Sequence, residues 1–345
     1  MTAAPRLLAG RRRGLAAALV ALAIGEAVLV VLFAARLDQL LSGPVPSPSS
    51  VAAGAGIAAA ASLALLLQRW VGESFAQGYV ADCRAALYAA VVRWRGATAE
   101  ETGARWLTGL INDMASLRNY ALRGSVRLWT SATAAGAAGL WVALTMPQLR
   151  IGLFPLLLGT AIVLLLTLPL SRAILMQRRE RGRLNRFMVR RVHADLQAEP
   201  PRKGHGYRKL AVLSATLARA AVRRAAAIGA MEAIATLAGL AAALMLVWQV
   251  GGRSGHAGIA GHLTVIGFIA ARLLESVRAL HARIGGRIAL DRLAGLIASA
   301  PIRRRSQRSR TARSRAARTR ELETPASPRV ALAPPSSHLT RERVS

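Results

Sequence analysis

The stretch Ile151–Val192 reads IGLFPLLLGTAIVLLLTLPLSRAILMQRRERGRLNRFMVRRV. Its first half, Ile151–Leu170, carries no charged residue, and as a helix it is about long enough to cross roughly 30 Å of hydrocarbon. The second half fills with Arg178, Arg179, Arg181, Arg183, Arg186, Arg190 and Arg191, yet Leu184, Phe187, Met188 and Val192 still recur at spacings of three and four. An ordinary loop does not keep a helical period for so long. One helix is therefore expected to leave the bilayer and run on into water.

Five further apolar stretches share this character: Gly14–Ala35, Val51–Leu67, Trp129–Met146, Ala225–Val250 and Gly258–Leu274. The chain reads as an all-α membrane protein with six transmembrane helices. If Arg11, Arg12 and Arg13 are cytoplasmic, the outer segments 36–50, 147–150 and 251–257 hold only Arg36, Arg150 and Arg253. The other 44 of 47 basic residues (47 minus 3) then lie inside or at the inner end of a span. The positive-inside rule orients the chain accordingly, with both termini cytoplasmic.

Composition agrees. With 53% hydrophobic residues in a chain of 345, there is more apolar surface than a soluble domain of this size buries. A net charge of +31 suggests nucleic acid in a soluble protein, but here the charge flanks spans, where anionic headgroups attract it. Of the basic residues only Lys203 and Lys209 are lysines, and alanine is abundant, which has the look of coding bias in a GC-rich genome. Cys83 is the single cysteine, so no internal disulfide or thiolate cluster can form, and a small packing role is expected for it. The first apolar stretch, at 22 residues, exceeds the apolar region of a signal peptide, roughly 7–15 residues. It reads as an uncleaved span.

Loop lengths say more than the spans. Outer connections are short and broken by Pro44, Pro46 and Pro48 or by Gly251, Gly252 and Gly255. Inner segments 68–128 and 171–224 are long and helical in pattern: Leu107, Leu110, Ile111, Met114 and Leu117 share one face of the first. Two antiparallel pairs of helical extensions are expected under the membrane. Residues 1–300 form this six-span unit, and residues 301–345 a separate tail. Pro301–Arg320 holds nine arginines, and Glu321–Ser345 adds Pro325, Pro328, Pro334 and Pro335 without periodic apolar residues. Such a composition predicts a disordered basic tail.

The run Thr102-Gly103-Ala104-Arg105-Trp106-Leu107-Thr108-Gly109-Leu110-Ile111-Asn112-Asp113-Met114-Ala115-Ser116-Leu117-Arg118 resembles a stretch, T-G-x-L-x-x-R-L-x-N-D-V-x-x-L-R, that follows the first cytoplasmic turn in the type-1 exporter transmembrane domain of ATP-binding-cassette transporters. Aligned on Asn112 and Asp113, Leu110, Leu117 and Arg118 also match. Thr102 and Gly103 stand one residue too far upstream, and Gly109 replaces a central Arg. Six spans with long inner excursions after the second and fourth fit the same family. Ala271-Arg272-Leu273-Leu274-Glu275 through Leu293 is similar to its exit helix, but without that helix's proline. Ala198–Gly206, with paired prolines at Pro200 and Pro201, departs from its second excursion. The resemblance covers about residues 10–297. It implies coupling to an ATPase through Thr102, Gly103, Asn112, Asp113 and Arg118.

The family's ATP site needs G-x-x-x-x-G-K-[ST], whose loop amides cradle the phosphates. Lys203 follows Arg202 and Lys209 follows Arg208, so no Gly-Lys pair exists in the chain. What the resemblance implies is then a permease subunit with no catalytic residues or cofactor of its own, ATP and Mg residing on a partner ATPase chain. A second six-span chain, identical or different, completes the path. The six histidines are dispersed without ligand spacing, so no metal site is expected. Three ionisable groups fall within spans: Glu26, Glu232 and His262. Such groups are costly in hydrocarbon and face protein or a watery cavity. Two roles are open to them, a bonded structural group between helices or a contact on the substrate path.

The expected setting is the bacterial cytoplasmic (inner) membrane, with anionic lipids as partners of the basic segments. Two rivals stand beside the permease. One is a nonenzymatic scaffold or regulator derived from a half-transporter. The other is a membrane tether for nucleic acid through Pro301–Arg320, disfavoured because that run has no aromatic residue for stacking.

Overall fold

A computed structural model describes residues 5–42, 47–93, 114–145, 150–196, 205–251 and 259–299. Among them every regular element is a helix: α1 (Arg12–Ser42), α2 (Pro48–Arg93), α3, α4 (Arg150–Leu196), α5 (His205–Gly251) and α6 (Ile259–Ser299). α3 runs in three pieces, α-helical Met114–Asn119, π-helical Tyr120–Val126 and α-helical Arg127–Thr145. Its junction residues Asn119 and Arg127 keep right-handed helical dihedrals, so the axis continues through the π turn.

α1, α2, α4 and α5 are long and apolar enough to cross a membrane. At 46 and 47 residues, α2, α4 and α5 reach roughly 70 Å, about twice the hydrocarbon thickness. Each apolar segment thus carries on as a helical extension, as the periodic residues of the inner segments require. α3 and α6 contain the two remaining apolar stretches. α6 packs against each of the other five helices and forms the axis of the unit. The α4–α5 hairpin meets the others mainly through α6; against α3 the contact is slight.

The many alanines have a packing role that composition does not disclose. Ala27, Ala34, Ala138, Ala235, Ala238 and Ala242 are buried in the main apolar cluster with Leu170, Met231, Leu246 and Ile266. Small residues let helix backbones approach closely where hydrocarbon gives no hydrophobic drive. At Gly261 the approach is closest: a side chain there would strike the Ala34 carbonyl and the Asp38 carboxylate. Asp38 Oδ1 instead accepts the Gly261 amide at 2.7 Å, satisfying an orphan donor in the first turn of α6 and pinning it to the end of α1. Outward-facing Leu157, Leu165, Leu168, Leu244 and Trp248 are exposed, as lipid-facing positions are.

Below the apolar segments a second cluster joins α2, α3 and α6. Tyr79, Cys83 and Leu87 pack on Met114, Leu117, Leu293 and Ile297. Met114 and Leu117 thus bury the face their spacing predicts, and Cys83 is a buried, free thiol. Arg12 does more than add to the basic flank of the first apolar stretch. It ion-pairs with Asp82 at 2.6 Å, donates to the Gly78 carbonyl and lies over the Tyr79 ring. The start of α1 is thereby locked to the α2 extension. On the α4 extension the predicted face is covered only in part: Leu184 and Phe187 are half-buried, with Lys209 of α5 over the Phe187 ring, whereas Met188 is exposed. Two helices alone cannot shield a full apolar stripe. Val192, Ala198–Gly204 and the tail after Ser299 lie outside what can be described of the side chains.

Candidate functional site

Charged groups inside the bundle are organised around α6. Glu26 of α1 is 3% exposed, and its Oε1 is bound by the Arg272 guanidinium. Its Oε2 accepts from Gln68 Nε2 of α2 at 2.8 Å, and the same amide reaches the Leu22 carbonyl. Arg272 also binds Glu275 Oε2 one turn along α6 and lies over the Phe268 ring. Arg127, at the junction of the π turn with α3, closes the chain on Glu275 Oε1 at 3.0 Å. Positive and negative groups alternate, two of each, and each carboxylate oxygen has a donor. An isolated charge is expensive in hydrocarbon, so this pairing is what allows four ionisable groups at this depth.

The network answers how Glu26 is used in this conformation. Both its oxygens are engaged, and a solute would have to displace Arg272 or Gln68 to reach it. Beside the network lies a cleft of about 290 Å3 where Arg69, Glu73, Arg123 and Thr130 join Gln68, Arg127, Arg272 and Glu275. Glu232 of α5 faces Arg278 of α6 at 2.9 Å and is a third exposed, so Glu26 and Glu232 do not converge on one pocket. His262 sits half-buried in the first turns of α6. Arg118 clasps Glu73 of α2 at 2.7 Å, tying α3 to the α2 extension. Thr102, Gly103, Asn112 and Asp113 lie outside the described residues.

The neighbouring face of α6 is apolar. There α3 and α4, consecutive in the chain, splay apart over a half-open cleft of about 630 Å3. Leu128, Gly136 and Leu140 line one wall, Leu153, Leu157 and Leu164 the other, and Ile269, Leu273 and Val277 the floor. Thr160 and Ser276 are the polar lining residues. Their hydroxyls donate to the Leu156 and Arg272 carbonyls of their own helices, so the surface offered is hydrocarbon. Gly136 and Gly139 deepen it, having no neighbour where a side chain would stand.

Gln68, Arg127, Arg272 and Glu275 were not legible as site residues. The available signal is the i, i+3 pair Arg272–Glu275 closing an otherwise apolar run, whose spacing places both on one helix face. Which helices they would meet is a tertiary matter. Compared with known proteins, the chain matches no family model and no curated protein.

Proposed function

We propose that this chain is the permease subunit of an ATP-binding-cassette-type transporter of exporter architecture, set in the bacterial cytoplasmic membrane with both termini cytoplasmic. It moves an apolar or amphipathic solute by alternating access, while a separate chain hydrolyses ATP with Mg. The observation that carries the reading is the α3–α4–α6 cleft: an apolar recess of drug-like size, beside a charge network on the adjacent face of α6 that ties α6 to α1, α2 and α3. A motion of α6 would reshape both at once. The paired extensions of α2–α3 and α4–α5 supply levers to a cytoplasmic partner, and the exposed flank of the α4–α5 hairpin suits a second six-span chain, identical or related.

The test is reconstitution. Affinity-tagged chain recovered from native membranes should bring down an ATPase subunit, and proteoliposomes of the pair should accumulate a lipophilic fluorescent dye only with ATP and Mg. Gly136→Leu, which fills the cleft where space is open, should cut that uptake with little change in ATP hydrolysis without dye. Recovery of the chain with no ATPase, and vesicles inert to ATP, would favour the nonenzymatic scaffold.

A further inference from the structure

At the inner end of the apolar segments lies a further recess, about 500 Å3, that shares only Arg127 with the charge network and no residue with the apolar cleft. Arg123 and Arg127 of α3, Arg178 of α4, Arg224 of α5 and Arg278 of α6 line it together with His281, over a floor formed by Gly285 and Gly286. Arginines from four helices converge on one space. Two of them have carboxylate partners, Arg127 with Glu275 and Arg278 with Glu232. Arg224 is held by neutral groups, the Gln177 amide oxygen at 2.9 Å and His281 Nε2 at 2.7 Å. Its Nε is buried with no acceptor. Arg123 is exposed, lines both this recess and the cleft beside the network, and has no ion-pair partner among the described residues. Bringing these charges together costs repulsion unless an anion joins them.

We propose that this recess binds a phosphate group, which accepts hydrogen bonds from Arg224 and Arg123 and bridges the α4–α5 hairpin to α3 and α6. Planar guanidinium forks match phosphate oxygens two at a time. The position suits two sources of that group. Arg224 immediately precedes the apolar stretch of α5, Arg127 stands two residues before that of α3, and Arg278 follows that of α6, so the recess lies at headgroup depth, where basic pockets between helices hold anionic lipids. It is also open enough for a soluble phosphate compound. The site does not depend on the transport reading.

The test uses the full-length chain in nanodiscs of phosphatidylcholine, following its unfolding temperature as inorganic phosphate replaces chloride at constant ionic strength. The wild type and Arg183→Gln, an exposed arginine of the α4 extension, should be stabilised alike. Arg123→Gln and Arg224→Gln should need about tenfold more phosphate for the same rise. Arg123 is surface-exposed, so its replacement leaves the fold intact even if Arg224→Gln misfolds. Nanodiscs containing phosphatidylglycerol separate the sources. A higher unfolding temperature without added phosphate, and loss of the phosphate response, identifies a lipid headgroup; a response that persists identifies a soluble phosphate compound. Equal responses in Arg183→Gln and Arg123→Gln, or no response in either lipid, would overturn the proposal.

Discussion

At the scale of single residues, the decisive fact is that Glu26 and Arg272 answer each other inside the bundle. Arg272→Met strands a buried carboxylate and should cost about 3 kcal/mol in a denaturant titration of the detergent-solubilised protein. Glu26→Gln keeps a group that Gln68 can bond and should cost about 1 kcal/mol. The combined variant should cost clearly less than the two together, because the charge each one strands is then absent; strict additivity would mean that the pair is not coupled. His281 offers a pH test. Burial, then the charge of Arg224, holds its pKa below the ordinary value, against the opposing pull of Glu232. The unfolded chain takes up this proton near pH 6.5, before the folded chain does. Stability contributed by the neutral ring is therefore complete above about pH 6.5 and declines as the pH falls below it. His281→Asn should lower the fall in melting temperature between about pH 7 and 5, and an unchanged slope would assign that dependence to other groups.

At the scale of helices, the π turn of α3 is the most constrained element. A side chain at Gly124 would come within 2.7 Å of the Arg283 backbone, and one at Gly286 within 2.9 Å of the Tyr120 backbone. Backbone cannot give way as a flexible side chain does, so α3 and α6 are in contact through glycine from both sides. Gly124→Ala should destabilise the protein by roughly 1–3 kcal/mol and expose the α3–α6 junction to limited proteolysis. Gly139→Ala, with open space around it, is the matched control and should melt at or slightly above the wild-type temperature. Because alanine is the better helix former at both positions, similar losses for both would mean that close approach to Arg283 is not what makes Gly124 sensitive. A π turn interrupts regular hydrogen bonding and often marks a functional position; here it presents Arg123 and sets Arg127 between the charge network and the arginine-lined recess.

For the whole molecule, orientation and burial can be read by thiol chemistry. Cys83 is fully buried between α2, α3 and α6, so the native protein should resist maleimide until denatured. Labelling before unfolding would show that this cluster opens. In a Cys83→Ala background, Ser47→Cys, exposed between α1 and α2, should react with an impermeant maleimide in intact cells, and Ser309→Cys should not. The reverse pattern would invert the topology. Both tests are independent of which solute, if any, the α3–α4–α6 cleft carries.

Much of this architecture is local, and so it was legible in the chain. An uncharged run the length of a bilayer, followed by arginines that still keep helical spacing, specifies a helix that spans and then extends, whatever its neighbours. Met114 and Leu117 were readable as buried for the same reason, because a 3.6-residue period places them on one face. The orientation expected from the positions of charges rests on the loops and not on packing, and it is the maleimide pattern that tests it. What tertiary structure decided is which of these helices meet. Arg12 looked like a topology signal and is a clamp on Asp82 and Tyr79; Glu26 could have faced a solute and is bound by Arg272 and Gln68. The alanines read as coding bias and serve as contact surface. Arg123, Arg127, Arg178, Arg224 and Arg278 are scattered over more than 150 positions, with nothing local to link them. Only the convergence of four helices brings them to one recess, because energies between distant charges depend on separation in space and not along the sequence.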